Sequence, residues 1–229
     1  MPRTLFDEEL ARLHADLAEM GRRVDALMQD AIRCLKSMDR PLARRIVPRD
    51  AEINTMEKTI EHSCMTLLAL QQPLARDLRV ITATLKILTD MERVADQCAD
   101  ICEILSTVAG MAGQTASPRL LRMFGKARSM FAGALDAYLR RDAEAARTVC
   151  GMDDEVDALF SSSILDLCGQ LEHHPSSVPS TVDFMFIAKY IERIGDHATN
   201  IAEWAIFVET GILPWKKFPS WTSSPKSPP

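Results

Sequence analysis

Asp90-Met-Glu-Arg-Val-Ala-Asp96 and Tyr190-Ile-Glu-Arg-Ile-Gly-Asp196 write the same pattern twice, 100 residues apart. A second pair stands upstream in the same order: Asp50-Ala-Glu-Ile-Asn54 matches Asp153-Asp-Glu-Val-Asp157 at an offset of 103. Two ordered matches at nearly one offset are hard to obtain by chance, so the chain reads as a duplicated unit whose halves share one architecture.

Around these motifs the apolar residues fall at helical intervals. Phe184, Ile187, Ile191, Ile194, Ala198, Ile201, Ala205 and Val208 form an unbroken seam, and Ile87, Met91, Val94, Cys98, Ile101 and Leu105 repeat it in the first half. A seam at three- and four-residue spacing must face other helices. The same periodicity, interrupted by Pro or Gly, predicts six long helices over 4–38, 41–71, 74–109, 117–140, 142–173 and 178–210. Pro48 falls inside the second and is expected to kink or split it. Composition agrees: of 229 residues only nine are Gly and 6% are aromatic, and side chains such as Ala, Leu, Met, Arg and Glu lose little freedom on a helix.

The fold class predicted is all-α, as two tandem pseudo-symmetric three-helix bundles. The first covers residues 1–112 and the second 113–211, joined through Gly110-Met-Ala-Gly-Gln-Thr-Ala-Ser-Pro118, with a Pro/Ser-rich tail over 212–229 that is too polar to fold alone. Its tryptophans are candidates to dock elsewhere.

A net charge of −5 and a pI near 5.6 disfavour a protein that tracks a phosphate backbone, so no nucleic-acid partner is expected. No stretch approaches the roughly 20 apolar residues of a membrane span, and the first residues lack a signal-peptide core. A cytoplasmic protein without membrane insertion is expected. The six cysteines form no Cys-x-x-Cys pair. Cys98 and Cys102, four apart, are better read as small apolar core residues than as ligands.

The chemistry lies beside the seams. Glu192, Asp196 and Asn200 stack at four-residue spacing on one stripe, as do Glu92, Asp96 and Asp100 in the first half. Like charges so placed repel by about 0.2–0.5 kcal/mol per pair, so compensation is expected. Asp50 with Asn54, and Asp153 with Asp157, supply second rows on the neighbouring helices. Facing rows of carboxylate and amide oxygens suit hard cations, with His197 a softer donor in the second half only. The rows read equally as solvated faces paired with Arg93, Arg193 or water, and repetition in both halves favours a site. Arg40, Arg44, Arg45 and Arg49 read as a solvated basic face, and His173 with His174 as a helix terminus.

Three functions suit such a molecule: a binding adaptor, a metal store or buffer, and a carboxylate-bridged metal oxidase. The oxidase is disfavoured because Glu-x-x-His pairs are needed and none of the five histidines has Glu three residues before it. No catalytic residues and no enzyme activity are expected.

Gln72-Pro-Leu-Ala-Arg-Asp-Leu-Arg79, then Glu92-Arg-Val-Ala-Asp96 and Glu192-Arg-Ile-Gly-Asp-His-Ala-Thr-Asn200, resemble the PhoU family over about residues 4–211. The resemblance implies two three-helix bundles carrying multinuclear metal clusters on the acidic motifs. Carried over, the metal-binding candidates are Asp50, Asn54, Glu92, Asp96, Asp100, Asp153, Asp157, Glu192, Asp196 and Asn200. The ions implied are iron, zinc, magnesium or manganese on oxygen ligands. The role implied is negative regulation of phosphate-starvation signalling and phosphate uptake. The partners implied are the phosphate ABC transporter ATPase subunit, a sensor histidine kinase and a second copy in a homodimer.

Overall fold

The computed structural model describes residues 3–107, 116–173 and 177–212. Most of the expected linker, His174 and the tail from 213 onward lie outside the described residues. Among the described residues eight α-helices follow one another: α1 (Arg3–Ser37), α2 (Arg40–Ile46), α3 (Asp50–Gln71), α4 (Ala75–Thr107), α5 (Pro118–Arg140), α6 (Ala143–Cys150), α7 (Asp153–His173) and α8 (Val178–Thr210). Among the described residues there is no strand.

The helices are the six expected segments, two of them broken. The second breaks where Pro48 forces a 3₁₀ turn, Val47–Arg49, between α2 and α3. The fifth, expected to run unbroken over 142–173, also breaks: Gly151 ends α6 and the chain restarts as α7 at Asp153. Gly151 is 103 residues after Pro48, so the duplication extends to the break itself. The short helices are capped alike. Asp39 Oδ1 accepts from the Leu42 N–H at 2.9 Å, and Asp142 Oδ1 accepts from Glu144 and Ala145 N–H at 3.1 and 2.9 Å. Ser117 caps α5 through the Leu120 N–H at 3.1 Å, with Pro118 as its first helical residue.

Both predicted seams are fully internal, every one of their residues being buried. α1, α3 and α4 pack as one bundle and α5, α7 and α8 as the other. The halves do not stand apart. α4 lies against α8 almost as extensively as α5 does, α1 packs on α5, and a single apolar core runs from Phe6 to Val208.

Specific contacts fix this union. Gly21 on α1 lies so close to α5 that an added Cβ would sit 2.0 Å from Leu135 Cδ2. Arg128 of α5 grips Asp25 of α1 with two bonds, 2.7 and 3.0 Å. The buried Tyr138 hydroxyl, its pKa pushed up to about 12 by burial, shares a 2.7 Å bond with Thr84 and donates to the Val80 carbonyl at 3.3 Å. Where α8 ends, Arg79 donates to the Val208 carbonyl at 3.3 Å and Arg76 reaches Glu209 at 3.1 Å, placing cations at the negative end of the helix dipole.

Four of the six cysteines behave as core residues. Cys34, Cys64, Cys98 and Cys102 are buried free thiols, and burial pushes the Cys64 and Cys98 thiols upward, Cys64 to about 12. No helix among the described residues is long and apolar enough to cross a membrane.

Candidate metal centre

The breaks at Pro48 and Gly151 determine where the acidic rows begin. Asp50 and Asp153 each open a new helix two residues after a break, so their carboxylates lie in a first turn, where backbone N–H groups favour negative charge. From there α3 runs antiparallel to α4, and α7 to α8, carrying the first rows past the second.

In the first half Asp50 lies close enough to Asp96 and Asp100 to disfavour their ionised forms. Glu92 is raised by burial first and then by Asp96 and Glu57, with Arg93 opposing. Asp96 is raised by burial, against Arg93, which reaches it at 3.2 Å and Glu92 at 3.4 Å. Glu57 joins the row: burial and then Glu61 raise it, with Asp96 and Arg93 also near. Neither Glu57 nor Glu61 was among the sequence candidates. The signal was present, since 50, 54, 57 and 61 form one helical stripe, but the second half has Phe160 and Ile164 at the matching offset and the repeat comparison hides them.

In the second half Asp196 is pushed up to about 6, by burial and then by Glu192, Asp153 and Asp157, with Lys189 opposing. Its outer edge still faces solvent, the side from which an ion would arrive. Asp153 is raised by burial and by Asp157. The Thr199 hydroxyl stands near enough to Asp153 to favour its charged form while falling short of a formed hydrogen bond. Gly195 lets α7 approach: a Cβ there would stand 3.3 Å from Val156 Cγ1 and 3.8 Å from Asp153 Oδ1. Lys189 pairs with Glu192 and sits 5.5 Å from the centre of the Phe160 ring, placing a tethered cation where the first half has Glu57.

Asn200 and His197 are drawn elsewhere. Both turn across the seam between the halves to Asp90 on α4, His197 Nδ1 at 2.8 Å and the Asn200 amide donating at 3.1 Å to the same oxygen. Asp100 occupies the matching place, facing Tyr190 and Arg193 of α8 while remaining beside Asp96. The structure therefore assembles Asp50, Glu57, Glu92, Asp96 and Asp100 on one side and Asp153, Asp157, Glu192 and Asp196 on the other. His197 is engaged between the halves, so its ring is not presented to the acidic row.

The donor chemistry fits a hard cation. Burial and like-charged neighbours push Glu57, Glu92, Asp96 and Asp100 in the first row and Asp153 and Asp196 in the second above the ordinary carboxylate range, a cost that bound positive charge relieves. Within the first row the side-chain oxygen of Asn54 is buried without a hydrogen-bond partner, a costly arrangement that an ion or its water would satisfy. Among the described residues, no three His, Cys, Asp or Glu side chains already stand as ligands around one point. Arg93 and Lys189 hold several of the carboxylates aside, so coordination calls for side-chain rotation.

A duplicated all-α bundle with paired acidic rows on equivalent helices is the class of protein that these features define. The PhoU domain family model matches twice, over residues 17–105 and 120–205, and the chain belongs to the PhoU family. It is 36% identical over 212 residues to the phosphate-specific transport system accessory protein PhoU homolog of Clostridium acetobutylicum, covering 92% of this chain and 97% of that protein. The homolog from Zymomonas mobilis is 36% identical over 206 residues, covering 90% and 87%. Among solved structures, PhoU from Pseudomonas aeruginosa superposes with a TM-score of 0.84 at 31% identity, covering 90% of this chain and all of that one. The phosphate transport system regulatory protein PhoU from Streptococcus pneumoniae superposes at 0.85 with 29% identity, covering 91% and 98%.

Proposed function

We propose that this chain is a cytoplasmic regulator of phosphate uptake and phosphate-starvation signalling. It acts as a metal-binding adaptor between the ATPase subunit of a phosphate ABC transporter and a sensor histidine kinase. The observation that carries the regulatory part is the likeness to phosphate transport accessory proteins along nearly their whole length, both halves included. Such a role requires no catalysis, because binding alone shifts a partner between states to the extent that the affinities differ.

The metal part rests on the paired rows. Asp50, Asn54, Glu57, Glu92, Asp96 and Asp100 offer oxygen donors in the first half, and Asp153, Asp157, Glu192 and Asp196 in the second. Bound cations would offset the burial and repulsion that raise Glu57, Glu92, Asp96, Asp100, Asp153 and Asp196, and would hold α3 to α4 and α7 to α8. Iron, zinc, magnesium and manganese all remain compatible with the donors, and their oxygen character favours the harder ions.

Capture of the tagged chain from phosphate-replete cells tests the adaptor reading. Recovery of the transporter ATPase or the sensor kinase is expected, with phosphate-starvation genes derepressed when the gene is deleted. Recovery of neither, together with unchanged repression in the deletion strain, overturns it. Bound metal persisting in that case would favour the alternative reading, a metal store or buffer.

A further inference from the structure

Helix α8 ends at Gly211, in the left-handed conformation with φ 73°, and a Cβ there would stand 3.4 Å from Arg79 Nη1. The chain therefore leaves the bundle beside the first turns of α4, next to the hairpin that joins α3 to α4. Among the described residues nothing lies over the large apolar side chains of this tip: Leu70 is 66% exposed, Leu74 80% and Leu78 43%, and Ile212, the last described residue, is 71% exposed. A groove of about 300 Å³ continues from Leu70 between α1 and α3, lined by Leu5, Thr66 and Leu67. Single exposed leucines are ordinary, but several together at one hairpin beside the point where an aromatic segment begins are not.

The following residues carry Trp215, Phe218 and Trp221, three large aromatics within seven residues, with Lys216 and Lys217 between them. Trp215 is three residues beyond Ile212, a reach of up to about 10 Å, and Trp221 nine residues, up to about 30 Å, enough to span the tip. The Pseudomonas aeruginosa relative is matched over its whole length by 90% of this chain, which leaves about a tenth of this sequence unmatched.

We propose that the Trp215–Trp221 segment folds back on its own chain and covers the apolar tip formed by Leu70, Leu74, Leu78 and Ile212. Aromatic side chains are the groups that gain most from such a surface, and the attachment at Ile212 makes the encounter intramolecular, at high effective concentration. The contact is independent of the acidic rows, which lie further along α3 and α4.

The test uses the full chain with Trp204→Phe, which leaves Trp215 and Trp221 as the only fluorophores of their kind. Their emission is expected to lie to the blue of that of a peptide of residues 213–229, with acrylamide quenching weaker by roughly twofold, as burial of indole requires. Leu70→Lys with Leu74→Ser is expected to remove that protection while the helical circular dichroism is unchanged. Should this variant fail to fold, Trp215→Ser with Phe218→Ser and Trp221→Ser in the full chain is read by hydrogen exchange, with amides of residues 72–79 expected to exchange faster. Peptide-like quenching in the parent, protection that survives the leucine substitutions, or unchanged exchange overturns the proposal. So does protection lost on dilution, which would assign the contact to a second copy.

Discussion

His197 Nδ1 lies 2.8 Å from Asp90 Oδ1, and this bond joins the third helix of one half to the third helix of the other, beside the acidic row of the second. The same oxygen accepts from Asn200, so one carboxylate serves two side chains of α8. Removing it leaves the half-buried His197 and the exposed Asn200 without this acceptor. Asp90→Ala is expected to destabilise the protein by about 1–3 kcal/mol, the usual cost of losing hydrogen bonds to a charged group. A lower urea midpoint at unchanged m-value would register this, and an unchanged midpoint would mean that the cross-half bond contributes nothing.

The acidic rows lie off the buried seams, so they can be emptied without opening the core. Glu192→Ala with Asp196→Ala is expected to strip bound metal from the second half and leave the helical content intact, since Ile191, Ile194 and Ala198 keep the packing. Elemental analysis of the purified proteins decides the matter. Equal metal content in parent and double variant would refute the assignment of the second-half site.

Protonation supplies a second, metal-free readout. Asp196 titrates from an ordinary 3.8 in the unfolded chain but is pushed up to about 6 when folded. A carboxyl raised in this way favours folding while it is protonated, and its contribution disappears as pH rises between about 4 and 6. In chelated protein the stability difference between Asp196→Asn and the parent should therefore widen in favour of the variant over that window, then level off above it. Comparing the two proteins cancels groups of opposite sign, such as Glu19 and Glu155, which their arginine and lysine partners hold low. Adding a binding cation should narrow the gap, because the ion replaces the proton. A gap independent of pH would contradict the crowding of charge described above.

Much of this was legible in the sequence, and the exceptions have physical causes. Helix type and seam follow from periodicity, which the core enforces at every turn, and the duplicated motifs located the acidic rows. The break at Gly151 was missed because glycine interrupts a helix only weakly by itself, whereas Pro48 removes a hydrogen bond; the equivalence of the two positions carried the information. Glu57 was hidden by a symmetry that the halves have lost there. The turn of Asn200 toward Asp90 was not legible at all, since four-residue spacing specifies a helix face but not the neighbouring helix that the face meets.

Gly195 offers the sharpest test of how helix spacing governs the second site. An alanine Cβ would meet Val156 Cγ1 at 3.3 Å, a tight contact that a small shift relieves, while Ala is better than Gly in a helix interior by roughly 0.5–1 kcal/mol. The two effects oppose, and the first half already carries Ala95 at this position, so Gly195→Ala is expected to change stability by less than about 1 kcal/mol. Gly195→Leu has no such offset. Its side chain must displace Val156 and the start of α7, at a cost of about 1–3 kcal/mol for overpacking, and α7 carries Asp153 away from Asp196 as it moves. The leucine variant should then lose second-half metal out of proportion to its loss of stability, measured by metal titration at a temperature where both proteins are folded. Metal affinity that holds in Gly195→Leu would show that the rows bind ions independently of one another, without the close approach of the two helices.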